Sequence, residues 1–416
     1  MKRRNFIKTV GASSLIPVSG LKLDELSGQK IPSAPESETP GSMDPRIEVN
    51  LGNIVWNFSQ IKKRVKVPVM SVVKANAYGH GLVETSRALE RAGTDWLMVG
   101  KLQEGIELRR AGIRCPILNF GPFGREDCED IIARDISQSV FTEDVRFLDE
   151  TASRLNKKAS IHIDIDTGMS RTGIPFNNAL PLFEKIAALP RIKIAGVSTT
   201  LTEDPEFDRE QVRRFLAVCV DAKKKGISLG LRHAASSAGI FQGQELYLDM
   251  VRPGITLYGY YPNAQTQSED ALNLKPALKI SAKVTFIKDL FTGDSISYHR
   301  VYKATERMRV ATVGIGYSDG YPPALAGKGF VSIRGKKFPV LPAVTANHSM
   351  VDLQNDRDVR VGDAVTLIDK QKNSGLTAYM LAELSSVSDY KILIGLNPLI
   401  PRWYLCGSDI GNNQEA

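Results

Sequence analysis

The sequence predicts a chain of the α/β class, a (β/α)8 barrel followed by a mostly β C-terminal domain, and two observations carry that expectation. From Arg46 onward, apolar β-branched runs alternate with amphipathic stretches, about eight βα-type units in roughly 215 residues. After Pro276 the texture changes to short β-branched runs separated by Gly and Asp. A doubly wound sheet is the alternative for the first part, but nothing resembles the GxGxxG turn of that architecture. The expected division is residues 1–43 as an N-terminal extension, 44–275 as the barrel and 276–416 as the β domain.

In the extension, Met1-Lys2-Arg3-Arg4-Asn5-Phe6-Ile7-Lys8 precedes a short, weakly apolar stretch from Thr9 to Val18. This reads as a twin-arginine export signal, with a basic, unstructured N-terminus as the plainer alternative. Residues 19–43, rich in Ser, Pro, Gly and Glu, read as a linker. The expected location is therefore the periplasm or beyond, and otherwise the cytoplasm.

The barrel is expected to open with a strand at Ile47–Leu51 and an amphipathic helix over Gly52–Lys63. The strand at Val69–Val73 follows, then a helix from Leu82 to Ala92 closed by Gly93. Trp96–Val99 reads as a strand and Gln103–Ala111 as a helix ended by Gly112. Cys115–Phe120 and Ile136–Phe141 are further strands, and Thr142 is the expected N-cap of a helix running to Leu155. Ser160–Asp166, Ile192–Val197, Leu229–Ala234 and Leu246–Met250 complete the barrel strands. In the second domain, strands are expected at Lys279–Ile287, Arg309–Val313, Gly329–Ile333, Val359–Ile368 and Lys391–Gly395.

Composition excludes several classes. The chain has 416 residues, 42% hydrophobic and 24% charged, with no apolar run long enough to span a bilayer. A net charge of +8 is modest for this length, and no basic patch interleaved with aromatics points to nucleic acid. Cys115, Cys128, Cys219 and Cys406 lie far apart without a CxxC pair, so neither a disulfide framework nor a metal site is expected.

The chemistry is expected around Val69-Met70-Ser71-Val72-Val73-Lys74-Ala75-Asn76-Ala77-Tyr78-Gly79-His80-Gly81. A lysine at the buried end of a strand is costly to keep charged, so its pKa should fall toward the neutral amine. A neutral amine condenses with aldehydes, which is how proteins hold pyridoxal phosphate. A solvated surface lysine is the plainer reading, and the flanking residues decide against it. The stretch closely resembles the pyridoxal-phosphate lysine motif of alanine racemases. By that resemblance Lys74 bears the cofactor and Tyr78 helps bind its phosphate.

Other blocks extend the resemblance over roughly residues 46–405. In Ser160–Asp166, Ile161, Ile163 and Ile165 share one face of a strand and His162, Asp164 and Asp166 the other. Both faces of a barrel strand are buried, so the polar face is expected to line a wet or ligand-filled interior. The following Asp166-Thr167-Gly168-Met169-Ser170-Arg171-Thr172-Gly173 resembles the family's DTGMxRxG block, which makes Arg171 a substrate and cofactor contact rather than a structural ion pair. Arg232–Gly239 resembles another block, from which Ser237 is carried over as a phosphate ligand. Met250–Gly259 resembles a third, which sets Arg252 against the pyridine nitrogen and the backbone of Gly254 and Ile255 against the phosphate. A permanently charged guanidinium leaves that nitrogen unprotonated, weakening the ring as an electron sink and favouring simple proton return. Val313–Tyr321 resembles the family's GYADG block, so Tyr317 is the second acid/base, reaching into the partner's site in a homodimer.

Several positions depart from the family pattern. Asp164 stands where many members have a carbamate-modified lysine, and its carboxylate is expected to supply that charge beside Arg171. Thr200 replaces a histidine that contacts the pyridine-side arginine, which would orient Arg252 less firmly. Ala346 and Asn347 stand where a methionine and an aspartate border the substrate, and Pro398 where a tyrosine guards the entrance. The resemblance implies a pyridoxal-phosphate amino-acid racemase acting on alanine. The rivals are a broad-specificity racemase, a non-catalytic pyridoxal-phosphate-binding protein on the same barrel, and a metal-assisted relative disfavoured because only Cys406 sits near the C-terminus to serve as a ligand.

Overall fold

The computed structural model of the chain describes residues 42–269, 272–371 and 374–406, so the export-signal reading falls outside the described residues. The first strands are β1 (Arg46–Asn50), β2 (Met70–Val72), β3 (Trp96–Val99), β4 (Ile117–Asn119), β5 (Ser137–Val140), β6 (Ala159–Asp166), β7 (Ile174–Pro175), β8 (Ile192–Ser198) and β9 (Leu231–His233). Strands β2-β3-β4-β5-β6-β8-β9 lie side by side. All the pairings are parallel, with helices in the crossovers. Residues 249–253 close the ring. Val251 pairs with Val69 and Met250 with His233. Met70 N–H donates to Val251 O at 2.9 Å and Arg252 N–H to Ala235 O at 2.8 Å. This segment takes the eighth position of the barrel.

Barrel strands such as β3 read as short apolar runs because both of their faces are buried, whereas β5, Ser137–Val140, is buried throughout with three polar residues in four. The polar face of β6 does point into the barrel, but its buried groups are paired with residues of β8 and β9 rather than left to solvent. His162 and Asp164 are buried, and their partners are His233 and Ser198.

The second domain contains β10 (Leu278–Leu290), β11 (Ser295–Ile296), β12 (Tyr302–Lys303), β13 (Met308–Val313), β14 (Phe330–Ile333), β15 (Lys336–Val344), β16 (Ser349–Asp352), β17 (Ala364–Ile368) and β18 (Arg402–Leu405). The sheet runs β13-β16-β15-β14-β17-β10-β1-β18, and β13 also pairs with β10. Strands β13 to β10 therefore close on themselves. The 13-residue β10 makes this possible by bulging between Val284 and Phe286, where it passes from β17 to β13.

Three expectations are corrected. The strand at residues 46–50 belongs to the second domain, not the barrel, lying antiparallel to β10 and parallel to β18. Its Ile47 and Val49 are fully buried while Arg46 and Glu48 are not, the one-sided pattern of such a sheet rather than of a barrel strand. The Ile-Leu-Ile run near the C-terminus is a helix, Asp389–Ile394, started by Ser388, whose side chain accepts from Lys391 N–H. Thr142 is not an N-cap. Its hydroxyl donates to the Asp144 carboxylate, and the helix begins at Val145.

Among the described residues no helix is long and apolar enough to cross a membrane, and no three His, Cys, Asp or Glu side chains form a metal-binding group.

Candidate active site

Lys74 stands just beyond β2 and opens a turn, Lys74–Tyr78, of unusual hand. Ala75, Asn76, Ala77 and Tyr78 have φ of 54, 55, 51 and 52°. Left-handed L-residues cost roughly 1–2 kcal/mol each, so the chain concentrates strain beside the lysine. The turn is held from several sides. Ala77 N–H donates to Val73 O at 2.8 Å, Leu82 N–H to Asn76 Oδ1 at 2.8 Å, and Asn76 N–H to Glu104 Oε1 at 3.2 Å. Arg402 Nε donates to Gly79 O at 2.8 Å. A Cβ on Gly79 would run into Leu393 O, and one on Gly81 into the Tyr404 hydroxyl. The second domain thus clamps the turn against the barrel. The Lys74 side chain reaches solvent, yet its amine is held below its usual pKa by burial first and then by Arg171, with Glu104 opposing and Arg252 adding to the depression.

At one end of this pocket, Ser237 Oγ accepts from Gly254 N–H at 2.9 Å and Thr256 N–H at 3.4 Å. Tyr78 stacks on Tyr258 with ring centroids 4.9 Å apart. A Cβ on Gly254 would lie 2.5 Å from the Tyr78 hydroxyl, so only glycine leaves this hollow open. Ile255 begins a single helical turn, Ile255–Tyr258, whose first N–H groups have no intrahelical acceptor. Among the described residues Thr256 Oγ1 is buried without a partner. Spare donors converging around a space that a methyl group would fill suit a phosphate.

At the other end, Arg252 is buried and makes three hydrogen bonds through its two terminal nitrogens. Nη1 donates to His233 Nδ1 at 3.0 Å, and Nη2 to Thr199 O at 2.8 Å and Ala234 O at 3.0 Å. Among the described residues the Nε–H and the second Nη1–H have no acceptor, and the Nε–H is a donor available to a ligand ring nitrogen. Burial pulls Arg252 down to about 10, with Asp164 opposing. Arg252 is therefore firmly oriented despite Thr200, because His233 and two carbonyls hold it. Asp164 Oδ1 accepts from Ser198 Oγ at 2.8 Å, and burial pushes its carboxyl up to about 6 against Ser198, Arg252 and Arg171. Arg171 is exposed beyond the turn after β6.

The structure thus brings together Lys74, Tyr78, Arg171, Ser237, Arg252, Gly254 and Ile255. Tyr317, Ala346 and Asn347 form a separate cluster. Tyr317 N–H donates to Thr345 O at 3.0 Å, Ser318 Oγ to Ala346 O at 2.7 Å, and Asn347 Nδ2 to Ser318 Oγ at 2.8 Å. The Tyr317 side chain is 53% exposed. Among the described residues no hydrogen bond links this cluster to Lys74. His233 and Glu104 are site residues that the sequence alone does not single out. His233 stood inside a quoted block, whereas nothing in the sequence links Glu104 to a turn 28 residues earlier.

The alanine racemase N-terminal domain family matches residues 49–262 and the alanine racemase C-terminal domain family residues 277–404. "Alanine racemase 2" of Caldanaerobacter subterraneus subsp. tengcongensis is 36% identical over 373 residues, 88% of this chain and 96% of that protein. The chain belongs to the alanine racemase family. Among solved structures, alanine racemase of Clostridium difficile superposes with a TM-score of 0.83 at 33% identity, covering 88% of this chain and 96% of that one. Alanine racemase of Bartonella henselae, with covalently bound pyridoxal phosphate, superposes with a TM-score of 0.77 at 25% identity, covering 88% and 100%. The family depends on pyridoxal phosphate, and the lysine turn, the hollow at Gly254 and the free Arg252 Nε fit its amine-reactive, phosphate and ring-nitrogen ends.

Proposed function

We propose that this chain is a pyridoxal-phosphate amino-acid racemase that interconverts L- and D-alanine with Lys74 and Tyr317 as its two bases. The observation that carries the reading is the arrangement of the lysine turn between a phosphate-shaped hollow and a buried arginine that keeps an Nε–H to donate. Bound in that pocket, pyridoxal phosphate supplies an aldehyde for amines and a ring that withdraws electrons from the substrate α-carbon. Tyr78, Ser237 and the backbone at Gly254 and Ile255 hold its phosphate. Arg252 would donate to the ring nitrogen and, offering no acceptor to a protonated ring nitrogen, would keep it unprotonated and limit that withdrawal. Arg171 orients the substrate carboxylate. Lys74 takes or returns the α-proton on one face of the α-carbon, and Tyr317 serves the other, because one base reaches one face only.

Tyr317 comes from a second copy of the chain in this reading. Its exposure, and that of Ile394 and Leu399 at 47% and 86%, support a homodimer. A broad-specificity racemase is the second reading, favoured by Ala346 and by Asn347, whose amide is tied back to Ser318. The twin arginines at Arg3-Arg4 support export, which cell fractionation would test.

The experiment is chiral analysis of alanine incubated with the cofactor-loaded protein, paired with borohydride reduction and peptide mass mapping. D-alanine from L-alanine, with cofactor mass fixed on Lys74, is the expected result. Cofactor fixed on another lysine, or no inversion of any amino acid, would sink the reading.

A further inference from the structure

Arg252, His233 and His162 run in a buried line away from the ring-nitrogen end of the site. Arg252 Nη1 is 3.0 Å from His233 Nδ1, and His233 Nε2 is 2.8 Å from His162 Nδ1. Both imidazoles are 0% exposed. A guanidinium only donates. His233 Nδ1 therefore accepts, and the ring carries its proton on Nε2. That N–H points at His162 Nδ1, which must accept in turn, so His162 also carries its proton on Nε2. The inability of the arginine to accept fixes every proton in the line. Adding a proton to either ring would set two N–H groups against each other. Burial and the Arg252 charge hold both rings below their usual pKa.

The fold makes room for this contact. A Cβ on Gly196 would fall 2.5 Å from His162 Nδ1 and 2.7 Å from its Cε1. The β6–β8 register slips between Ile161 and His162, at the point where the ring must enter. Trp96 packs against the same ring, centroids 5.0 Å apart and planes at 73°. Beyond it the line ends, since among the described residues His162 Nε2 is buried without a partner. All of the acceptors on Arg252 are neutral: one imidazole nitrogen and two carbonyls. A carboxylate in their place would orient the guanidinium equally well but neutralise it.

We propose that His162 is a positioning residue for Arg252. By accepting the His233 Nε2–H, it satisfies and holds the ring in the tautomer that takes a hydrogen bond from Arg252, leaving the arginine its whole charge and an Nε–H for the cofactor ring nitrogen. The consequence for the cofactor rests on the Proposed function, whereas the tautomers themselves are a property of the protein alone. Failure of the relay and absence of racemisation are therefore separate results.

Histidine-selective ¹⁵N labelling tests it on the pyridoxal-phosphate-loaded protein and the stripped protein. The chain has only five histidines, so single substitutions assign the signals. The expected result is a neutral, Nε2-protonated ring at both His162 and His233. A His233 protonated on Nδ1, or either ring charged at neutral pH, overturns the proposal. His162→Phe removes the acceptor while filling the space. It is expected to leave the His233 Nε2–H buried without an acceptor, loosen the ring that holds Arg252, shift the absorption band of the bound cofactor and weaken cofactor binding roughly five- to tenfold, the scale of one buried hydrogen bond. His162→Gln offers an amide oxygen as acceptor and is expected to restore the band. An unchanged band and affinity in the Phe variant, or a Gln variant indistinguishable from it, overturns the proposal. If the Phe variant does not fold, the wild-type tautomers and the Gln variant still decide.

Discussion

Replacing Asp164 with asparagine separates burial from ion pairing at the centre of the site. Asp164 is 2% exposed and its carboxyl is pushed up to about 6, burial outweighing the pull of Ser198, Arg252 and Arg171. An ordinary aspartate sits at 3.8, so the shift is about two units, or about 3 kcal/mol. The sign follows from proton binding. Between pH 3.8 and about 6 the folded protein holds a proton at Asp164 that the unfolded chain has released, so stability from this site is present at low pH and falls as pH rises through that window. Asparagine cannot ionise and keeps an acceptor for Ser198. In urea denaturation of cofactor-stripped protein at fixed concentration, the lead of Asp164→Asn over wild type should grow from near zero at pH 4 to about 3 kcal/mol at pH 7. Other buried groups, such as His162 and His233, are common to both proteins and cancel. A constant difference, or a wild type that gains on the variant as pH rises, would show that the two arginines outweigh burial and would refute the reasoning.

Two further substitutions probe the pocket walls. Gly254→Ala places a methyl 2.5 Å from the Tyr78 hydroxyl, and overpacking of this kind costs roughly 1–3 kcal/mol; fluorescence titration with pyridoxal phosphate should show affinity reduced at least about tenfold, and unchanged affinity would move the phosphate elsewhere. Ala346→Met narrows the substrate wall, so chiral assays over a panel of amino acids should show turnover of longer side chains falling about tenfold relative to alanine, the scale for a few methylenes in an apolar pocket. An unaltered ratio would remove Ala346 from the substrate's surroundings.

Part of the barrel was legible because strands such as Trp96–Val99, which matches the observed strand residue for residue, are apolar runs bounded by turn residues. Residues 46–50 misled because their position before a helix suggested a βα unit, whereas their pairing is decided by partners more than 200 residues away. The Ile-Leu-Ile run at residues 392–394 misled through β-branched content, its helix being set by the Ser388 cap and the burial of Ile392 and Leu393. At the site, Lys74, Ser237 and Arg252 were legible as quoted blocks. The left-handed turn after Lys74 was not, because alanine and asparagine carry no signal for four successive positive φ values; Glu104 and the C-terminal domain impose them.

The central claim is that two bases serve opposite faces of the α-carbon, and proton exchange by Tyr317→Phe tests it most directly. Each alanine enantiomer would be incubated in deuterated water with the loaded variant, then analysed for deuterium at the α-carbon and for configuration. The expected result is exchange in one enantiomer only, by Lys74 alone and without inversion, while wild type labels and inverts both. Inversion by the variant at the wild-type rate, or exchange in both enantiomers, would contradict the account.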